Sequence, residues 1–479
     1  MIAFLNRALL LLFLGSATAF AAPAMPRDTA PPIDAMDADT VPESSDEEVP
    51  PPLPVSSAPV NKPSIEGFGT LGGKQGGLDA LVWKGSTRDS AEDLLQLMHS
   101  GIADGTLSDL TVRLLMTQAT PPAGATQGWF ITRINTLIAM GQDEKAGQMI
   151  ASLPVSMISD PLRQIQEQLL FLRGDADSAC RLAATLPDNT GSAASVDIDT
   201  SFWQKVNIVC QARAGKQNEV MVGLDILREE NKLGEPFFQE AVHKFSDKTA
   251  TIKSLPKKWS LFDVALIRLT GDGDKLKDKM DAIPAAALKY LAADTSLDTN
   301  LRDKARNKAE QEGLLPSTQN NKLPEQAFAK TLSSDVTTLI AALVSDKPAN
   351  NADNAVITRL ALDENSSLLD SKRIQRLLTL MEPFGYSVPP AVWQKLFIHK
   401  SRYDGEVPPA VLVAHLNEAA QAGKKGEVIL LSALILGANE TDKVSELAIL
   451  PVVKALKAVG FEKEARHIAA DAVKPYSGR

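Results

Sequence analysis

The chain has 479 residues, 44% hydrophobic but only 5% aromatic, so its core has to be assembled mainly from Leu, Ala, Val and Ile, which suits close helix packing. The formal charge is −9, and the acids concentrate between Ala22 and Ser64, where eight of them face only Arg27 and Lys62. That balance excludes the basic footprint of a nucleic-acid-binding protein and supplies no steering field toward anionic membranes.

The first residues have the layout of an export signal over 1–21. MIAFLNR supplies Arg7, ALLLLFLG is a short apolar run, and ATA or AFA offers small-x-small cleavage after Ala19 or Ala21. The alternative is a retained anchor, although the run is short of a bilayer-spanning helix. No Cys follows it to carry a lipid. The expected location is therefore periplasmic or secreted, with no integral membrane segment after signal cleavage. Residues 22–77 read as a disordered linker. Its first part holds eleven prolines, including VPPPLP at 49–54, among Asp, Glu and Ser, with few apolar residues to offset the entropy of ordering. A spacer is the plain reading and a proline-rich ligand for an aromatic groove the sharper one. The linker runs into IEGFGTLGGKQGG, where Gly67, Gly69 and Gly72 satisfy G-x-G-x-x-G. No strand pattern precedes them, so a flexible hinge is expected rather than a dinucleotide site.

From Leu78 onward the pattern is helical. STRDSAEDLLQLM opens on capping residues and continues into a Leu-rich face, and LSDLTVRLLMTQATPP is stopped by Pro121 and Pro122. In WFITRINTLIAMGQDEKAGQMIASLP, Trp129, Ile131, Ile134, Leu137 and Ile138 share one helix face. Ala146, Met149, Ile150 and Leu153 share the next, and Pro154 closes it. The reversal between them, GQDEKA at Gly141, has counterparts: GDADSA at Gly174, GKQNEV at Gly215, GKKGEV at Gly423 and GFEKEA at Gly460. In each, a helix ends on Gly, and five positions later a small Ala or Val opens the next apolar face. Gly takes the left-handed conformation that stops a helix, and the small residue lets two backbones approach. Steps of 33 to 41 residues between neighbouring copies match stacked helical hairpins. The fold class expected is all-α, divided into helical repeat regions at 78–250 and 251–479.

The middle of the chain offers helices without clear copies of the turn: SLFDVALIRLTGD, IPAAALKYLAAD and TNLRDKARNKAEQEGLL. PSTQNNKLP at 316–324 and DKPANNADN at 346–354 read as linkers. SVPPAVWQKLFIHK and EVPPAVLVAHLNEAAQAG share V-P-P-A-V and read as two helix starts, because proline is tolerated in a first turn. VILLSALILG at 428–437 reaches about half a membrane-spanning length and reads as a buried helix.

Gly141, Ala146 and Pro154, and again Gly174, Ala179 and Pro187, resemble the Gly, Ala and Pro positions of tetratricopeptide repeats. The resemblance covers two patches of the chain and implies a solenoid of stacked antiparallel hairpins. The Gly-Gly-Leu…Trp start at 76–83 and the cysteine-bearing hairpins also resemble a group of secreted bacterial helical proteins of uncharacterised activity.

Cys180 opens the helix after Gly174, and Cys210 closes the helix before Gly215. If those helices run antiparallel, the two sulfurs meet, and a disulfide between neighbouring repeats is expected in an oxidising compartment. Two buried free thiols are the alternative. His99, His243, His399, His415 and His467 show no metal-ligand spacing, although His399 and His415 could meet across a hairpin. GDGD at 271–274 lacks the remaining ligands of a calcium loop and reads as an acidic turn. No nucleophile elbow or phosphate loop occurs, so no catalytic, cofactor or metal residue is singled out. The function expected is a periplasmic, non-enzymatic scaffold that binds an envelope protein. The alternatives are a glycan hydrolase on a helical scaffold, which needs two facing carboxylates, and an exported chaperone-like subunit, which needs exposed apolar patches.

Overall fold

In a computed structural model, the structure describes residues 64–98, 101–125, 127–185, 200–315, 334–345, 350–362, 368–398, 407–437 and 444–473. The export signal, the proline tract, the linker at 316–324, His99 and His399 lie outside them. Among the described residues there are α-helices, short 3-10 turns and two isolated bridges, Leu71 with Thr117 and Thr87 with Ala123, and no strand.

Local sequence sets the helix ends. α1 (Arg88–Gln96) starts where the Thr87 hydroxyl accepts from the Ser90 N–H, and α2 (Gly105–Met116) where Asp104 accepts from the Leu107 N–H. α3 (Trp129–Ala139) and α4 (Asp143–Ala151) flank Gly141. α5 (Asp160–Leu172) and α6 (Ala176–Ala184) flank Gly174, and α7 (Thr200–Arg213) and α8 (Gln217–Glu229) flank Gly215. Then come α9 (Pro236–Ser246), α10 (Leu261–Leu269), α11 (Ala285–Ala293) and α12 (Thr299–Gln311). α10 starts on a capping box of Ser260 and Asp263. After α13 (Ser334–Val344), α14 (Asn351–Leu362) and α15 (Leu368–Met381), the two V-P-P-A-V segments open α16 (Pro390–Ile398) and α17 (Ala410–Gln421). α18 (Lys425–Leu436), α19 (Glu446–Ala458) and α20 (Glu462–Asp471) complete the order.

The five turns share one hydrogen-bond pattern. Gly141, Gly174, Gly215, Gly423 and Gly460 have φ of 73°, 83°, 74°, 70° and 94°. At Gly141 the glycine N–H donates to the Ile138 carbonyl and the Gln142 N–H to the Leu137 carbonyl, and the other four repeat this pairing. That is the Schellman closure, which needs the left-handed residue glycine supplies. The small residues five positions on, Ala146, Ala179, Val220, Val428 and Ala465, are all at most 1% exposed, and the helices on either side of each turn pack together. The sequence pattern shows no clear copies in the middle of the chain. The structure adds three: Asn231 after α8, Gly271 after α10 and Gly313 after α12 close in the same way, at φ of 55°, 78° and 67°. Gly271 leads into a 3-10 segment, Gly273–Asp278, and Gly313 into a short tail, so the pattern of paired helices fails there while the turn persists.

Two hydrophobic clusters form the core. One runs from Phe171 to Ala309. The other joins residues between Leu78 and Leu169 with residues between Val336 and Val473. The boundary read at residue 250 falls inside the first of these. In a nearest-neighbour stack each hairpin would touch only the adjacent ones, but here α1 and α2 also pack on α18, and α2 on α20. Trp83 lies edge-on to Trp129, with ring centroids 5.0 Å apart, and also covers Gly426. The Gly426 N–H donates to the Val82 carbonyl at 3.0 Å, and Arg113 reaches Glu464 at 3.1 Å.

Residues 64–77 correct the expectation of a disordered linker and flexible hinge. They form a strap bound to α2 and α3. The Glu66 carboxylate accepts from the Gly128 and Phe130 N–H groups at 2.8 Å, capping α3. Arg133, 2% exposed, donates to the carbonyls of Leu115, Thr117 and Phe68. Burial pulls its guanidinium down to about 10, opposed by Glu66, which leaves it charged at neutral pH. Glycine is required because backbone meets backbone: a Cβ on Gly69 would lie 2.4 Å from the Gln118 nitrogen. Gly69→Ala should therefore cost about 1–3 kcal/mol in urea unfolding. Gly73→Ala, where nothing lies within 4 Å, should stay within about 0.5 kcal/mol.

Candidate functional site

Cys180 and Cys210 face each other between α6 and α7 at disulfide distance, with Cα atoms 5.6 Å apart and 30 positions of chain between them. α6 packs on α7 because both bury apolar faces in the same cluster. The middle of α6, at Cys180, therefore abuts α7 near its end, at Cys210.

α7 and α8 meet closely at Gly223, where a Cβ would sit 2.7 Å from Ile208 Cγ1. The approach leaves a groove of 420 Å³ beside the contact. Ile208, Val222 and Ile226 give it an apolar surface, and Gln204, Asn207 and Gln211 line it along α7. On α8, Met221, Val222 and Ile226 are 51%, 59% and 42% exposed, an apolar row on a helix whose other face is fully buried at Val220, Leu224 and Leu227. Gln204 donates to Glu230 at 3.5 Å, while its Oε1 is buried and accepts no hydrogen bond among the described residues.

A second site grows from the Gly141 turn. Asp143, in the first turn of α4, is fully buried. Lys289 and Tyr290 reach it from α11: the Lys289 ammonium pairs with Oδ1 and the Tyr290 hydroxyl donates to Oδ2. Lys289 also donates to the Gly141 carbonyl at 2.7 Å. Arg173, at the end of α5, donates to the Asp143 carbonyl at 3.2 Å and to Oδ2 at 3.4 Å. Burial and then the hydrogen bond to Asp143 push the Tyr290 phenol up to about 12, so it stays a donor. Burial pulls the Arg173 guanidinium down, but Tyr290 and Asp143 together hold it above its ordinary value. Beside this cluster, α4, α5, α6 and Tyr290 enclose a cleft of 610 Å³.

The repeat glycines mark turns and line neither site, apart from the Gly141 carbonyl held by Lys289. Among the described residues no three His, Cys, Asp or Glu side chains lie close enough to share a metal ion. His399 lies outside the described residues, so its meeting with His415 is not described. Asp272 and Asp274 of GDGD are spent locally: Asp272 pairs with Lys244 at 3.3 Å, and Asp274 accepts from the Asp298 N–H. No described helix is long and apolar enough to cross a membrane. Sequence reasoning missed Asp143, Arg173, Lys289 and Tyr290, because an acid in a first helical turn and a lone Lys-Tyr pair carry no periodic signal.

No family model matches the chain, and no curated protein or solved structure matches it.

Glu167 on α5 is fully buried, and neither of its oxygens has a hydrogen-bond partner among the described residues. Desolvation pushes its carboxyl up to about 8. The folded protein then holds a proton that the unfolded chain releases between pH ~4.5 and ~8, so stability falls as pH rises through that window. Glu167→Gln should flatten the slope and stabilise the protein by about 2–4 kcal/mol at pH 8, with little effect at pH 4.5, as read from urea unfolding at both pH values. For the cysteines, denatured, unreduced protein should show no titratable thiol. Reduction should lower the unfolding free energy by about 3–4 kcal/mol in the chain-entropy model. Two titratable thiols would exclude the bridge.

Proposed function

We propose that this protein is a non-enzymatic binding scaffold that takes a polypeptide partner in the groove between α7 and α8. The observation that carries the proposal is the pairing, in one groove, of the exposed apolar Val222 and Ile226 with three side-chain amides along α7, of which Gln204 keeps an Oε1 unpaired among the described residues. An amide side chain both donates and accepts, as a peptide backbone does. Gln204, Asn207 and Gln211 stand on successive turns of α7, so they meet a chain laid along the helix. Val222 and Ile226 supply the apolar contact that gives such a complex most of its affinity. The stacked-hairpin reading akin to tetratricopeptide repeats belongs to this proposal and is supported by five hairpins turned in the same way. An exported location belongs to it too, supported by the N-terminal apolar run and by the paired cysteines.

Of the alternatives, a glycan hydrolase requires an acid and a base facing each other across a cleft. Among the described residues the larger cleft is lined by one carboxylate, the exposed Glu144, while Asp143 beside it is fully buried and held by Lys289 and Tyr290, which favours binding over hydrolysis. A chaperone-like subunit would use the same exposed row on α8, but would show many partners in place of one.

The test places a photo-crosslinker at Asn207 in the full chain and captures envelope polypeptides. One discrete partner should be recovered. Capture should fall at least tenfold in the double variant Val222→Glu, Ile226→Glu while its thermal melt is unchanged. Equal capture by the variant would remove the groove from the proposal, and capture of many unrelated unfolded chains would favour the chaperone-like reading.

A further inference from the structure

The cleft beside Asp143 carries a second inference, independent of the groove on α7 and α8. Three positively polarised groups converge there on one carboxylate. Asp143 pairs with Lys289 through Oδ1 and accepts from Tyr290 on Oδ2. Arg173 adds a weaker contact to Asp143 and a hydrogen bond with Tyr290. Its guanidinium has five N–H donors in a planar fork, and its two hydrogen bonds to Asp143 are long and both come from Nη2. Neither Nε nor Nη1 donates to Asp143, and the side chain is 36% exposed. Asp143, Lys289 and Arg173 together carry one net positive charge.

The walls suit a particular ligand. Leu169, Leu170 and Leu182 give the cleft an apolar side, and Gln148 and Gln166 add amides. Gly147 sits within α4, where glycine costs about 1 kcal/mol relative to Ala. A Cβ there would come 3.6 Å from Arg173 Nη2, so the bare backbone keeps the guanidinium reachable. Glu144, exposed and lining the same cleft, opposes a second negative charge. The volume of 610 Å³ fits a small molecule or the last residues of a peptide.

We infer that this cleft binds a monocarboxylate with an aliphatic body, the carboxylate on the remaining N–H groups of Arg173 and the body against Leu169, Leu170 and Leu182. An Arg fork pairs with a carboxylate through two parallel hydrogen bonds, and the Glu144 carboxylate in the same lining disfavours a ligand with a second negative charge. The same chemistry is presented by a free aliphatic acid and by the C-terminal carboxylate of a peptide ending in an apolar residue.

The test is calorimetric titration of the full chain with four probes: octanoate, the peptide acetyl-Ala-Ala-Leu with a free carboxylate, the same peptide as its C-terminal amide, and inorganic phosphate. At least one carboxylate should bind. The amide and phosphate should bind at least tenfold more weakly than that carboxylate. Arg173→Gln and Gly147→Leu should each lose at least tenfold in affinity. Gly147→Leu narrows the cleft beside Arg173 Nη2 and keeps every charge, so its thermal melt is read with its affinity, and a melt that matches the parent separates ligand loss from misfolding. Tighter binding of octanoate assigns the site to a free acid, and tighter binding of the peptide assigns it to a chain terminus. The inference is overturned if neither carboxylate binds at millimolar concentration, if amide or phosphate binds equally well, or if Gly147→Leu keeps full affinity.

Discussion

A carboxylate withdrawn completely from water has to be compensated, and Asp143 shows how much of the architecture that demand organises. An unpaired buried charge costs several kcal/mol, so the compensating groups must be placed well. They come from α11, 146 and 147 positions further along the chain, and from the end of α5. Lys289 holds both the side chain of Asp143 and the carbonyl of Gly141, which fixes the turn as well as the charge. The turn belongs to the cluster shared by the two ends of the described chain, whereas most of α11 belongs to the other cluster. The ionic cluster is therefore one of the points at which the two apolar bodies meet, beside α5, which carries residues of both.

The groove and the cleft lie on neighbouring hairpins of that arrangement. α6, which contributes Leu182 to the cleft, is joined at Cys180 to Cys210 on α7, which lines the groove. A bridge between them would span the connection between these helices where the described chain is interrupted, at 186–199. It would make the geometry of α6 against α7 independent of how those residues are arranged. Rigid placement of binding residues on helices favours recognition, because less order has to be imposed when a partner arrives.

Much of the fold was legible in the sequence because it is local. A glycine that ends a helix, followed at a fixed offset by a small residue, encodes a reversal within six positions, and Gly141, Gly174, Gly215, Gly423 and Gly460 all make it. Cys180 and Cys210 were legible for the same reason, each being one helix away from such a turn. Gly271 and Gly313 escaped notice because the helix expected after each is a 3-10 turn or a short tail. The strap at 64–77 was misread because its glycines look like a hinge. They serve contact between backbones, which composition does not reveal. The groove amides and the Asp143 cluster were illegible on stronger grounds, since their meaning depends on which helices become neighbours over long separations.

The packing of α1 and α2 on α18 and α20 bears on how the molecule is made. Arg113 and Glu464 are separated by 351 positions, so Leu107, Leu110 and Leu114 emerge from the ribosome long before α18 to α20, which share their cluster. Closing so long a loop adds only logarithmically to the entropic penalty, but it delays completion of the native state. Throughout that interval the earliest helices expose a sticky surface to the cell. In a protein built this way, the face of α2 that α18 and α20 cover is completed only when nearly the whole chain has been translated.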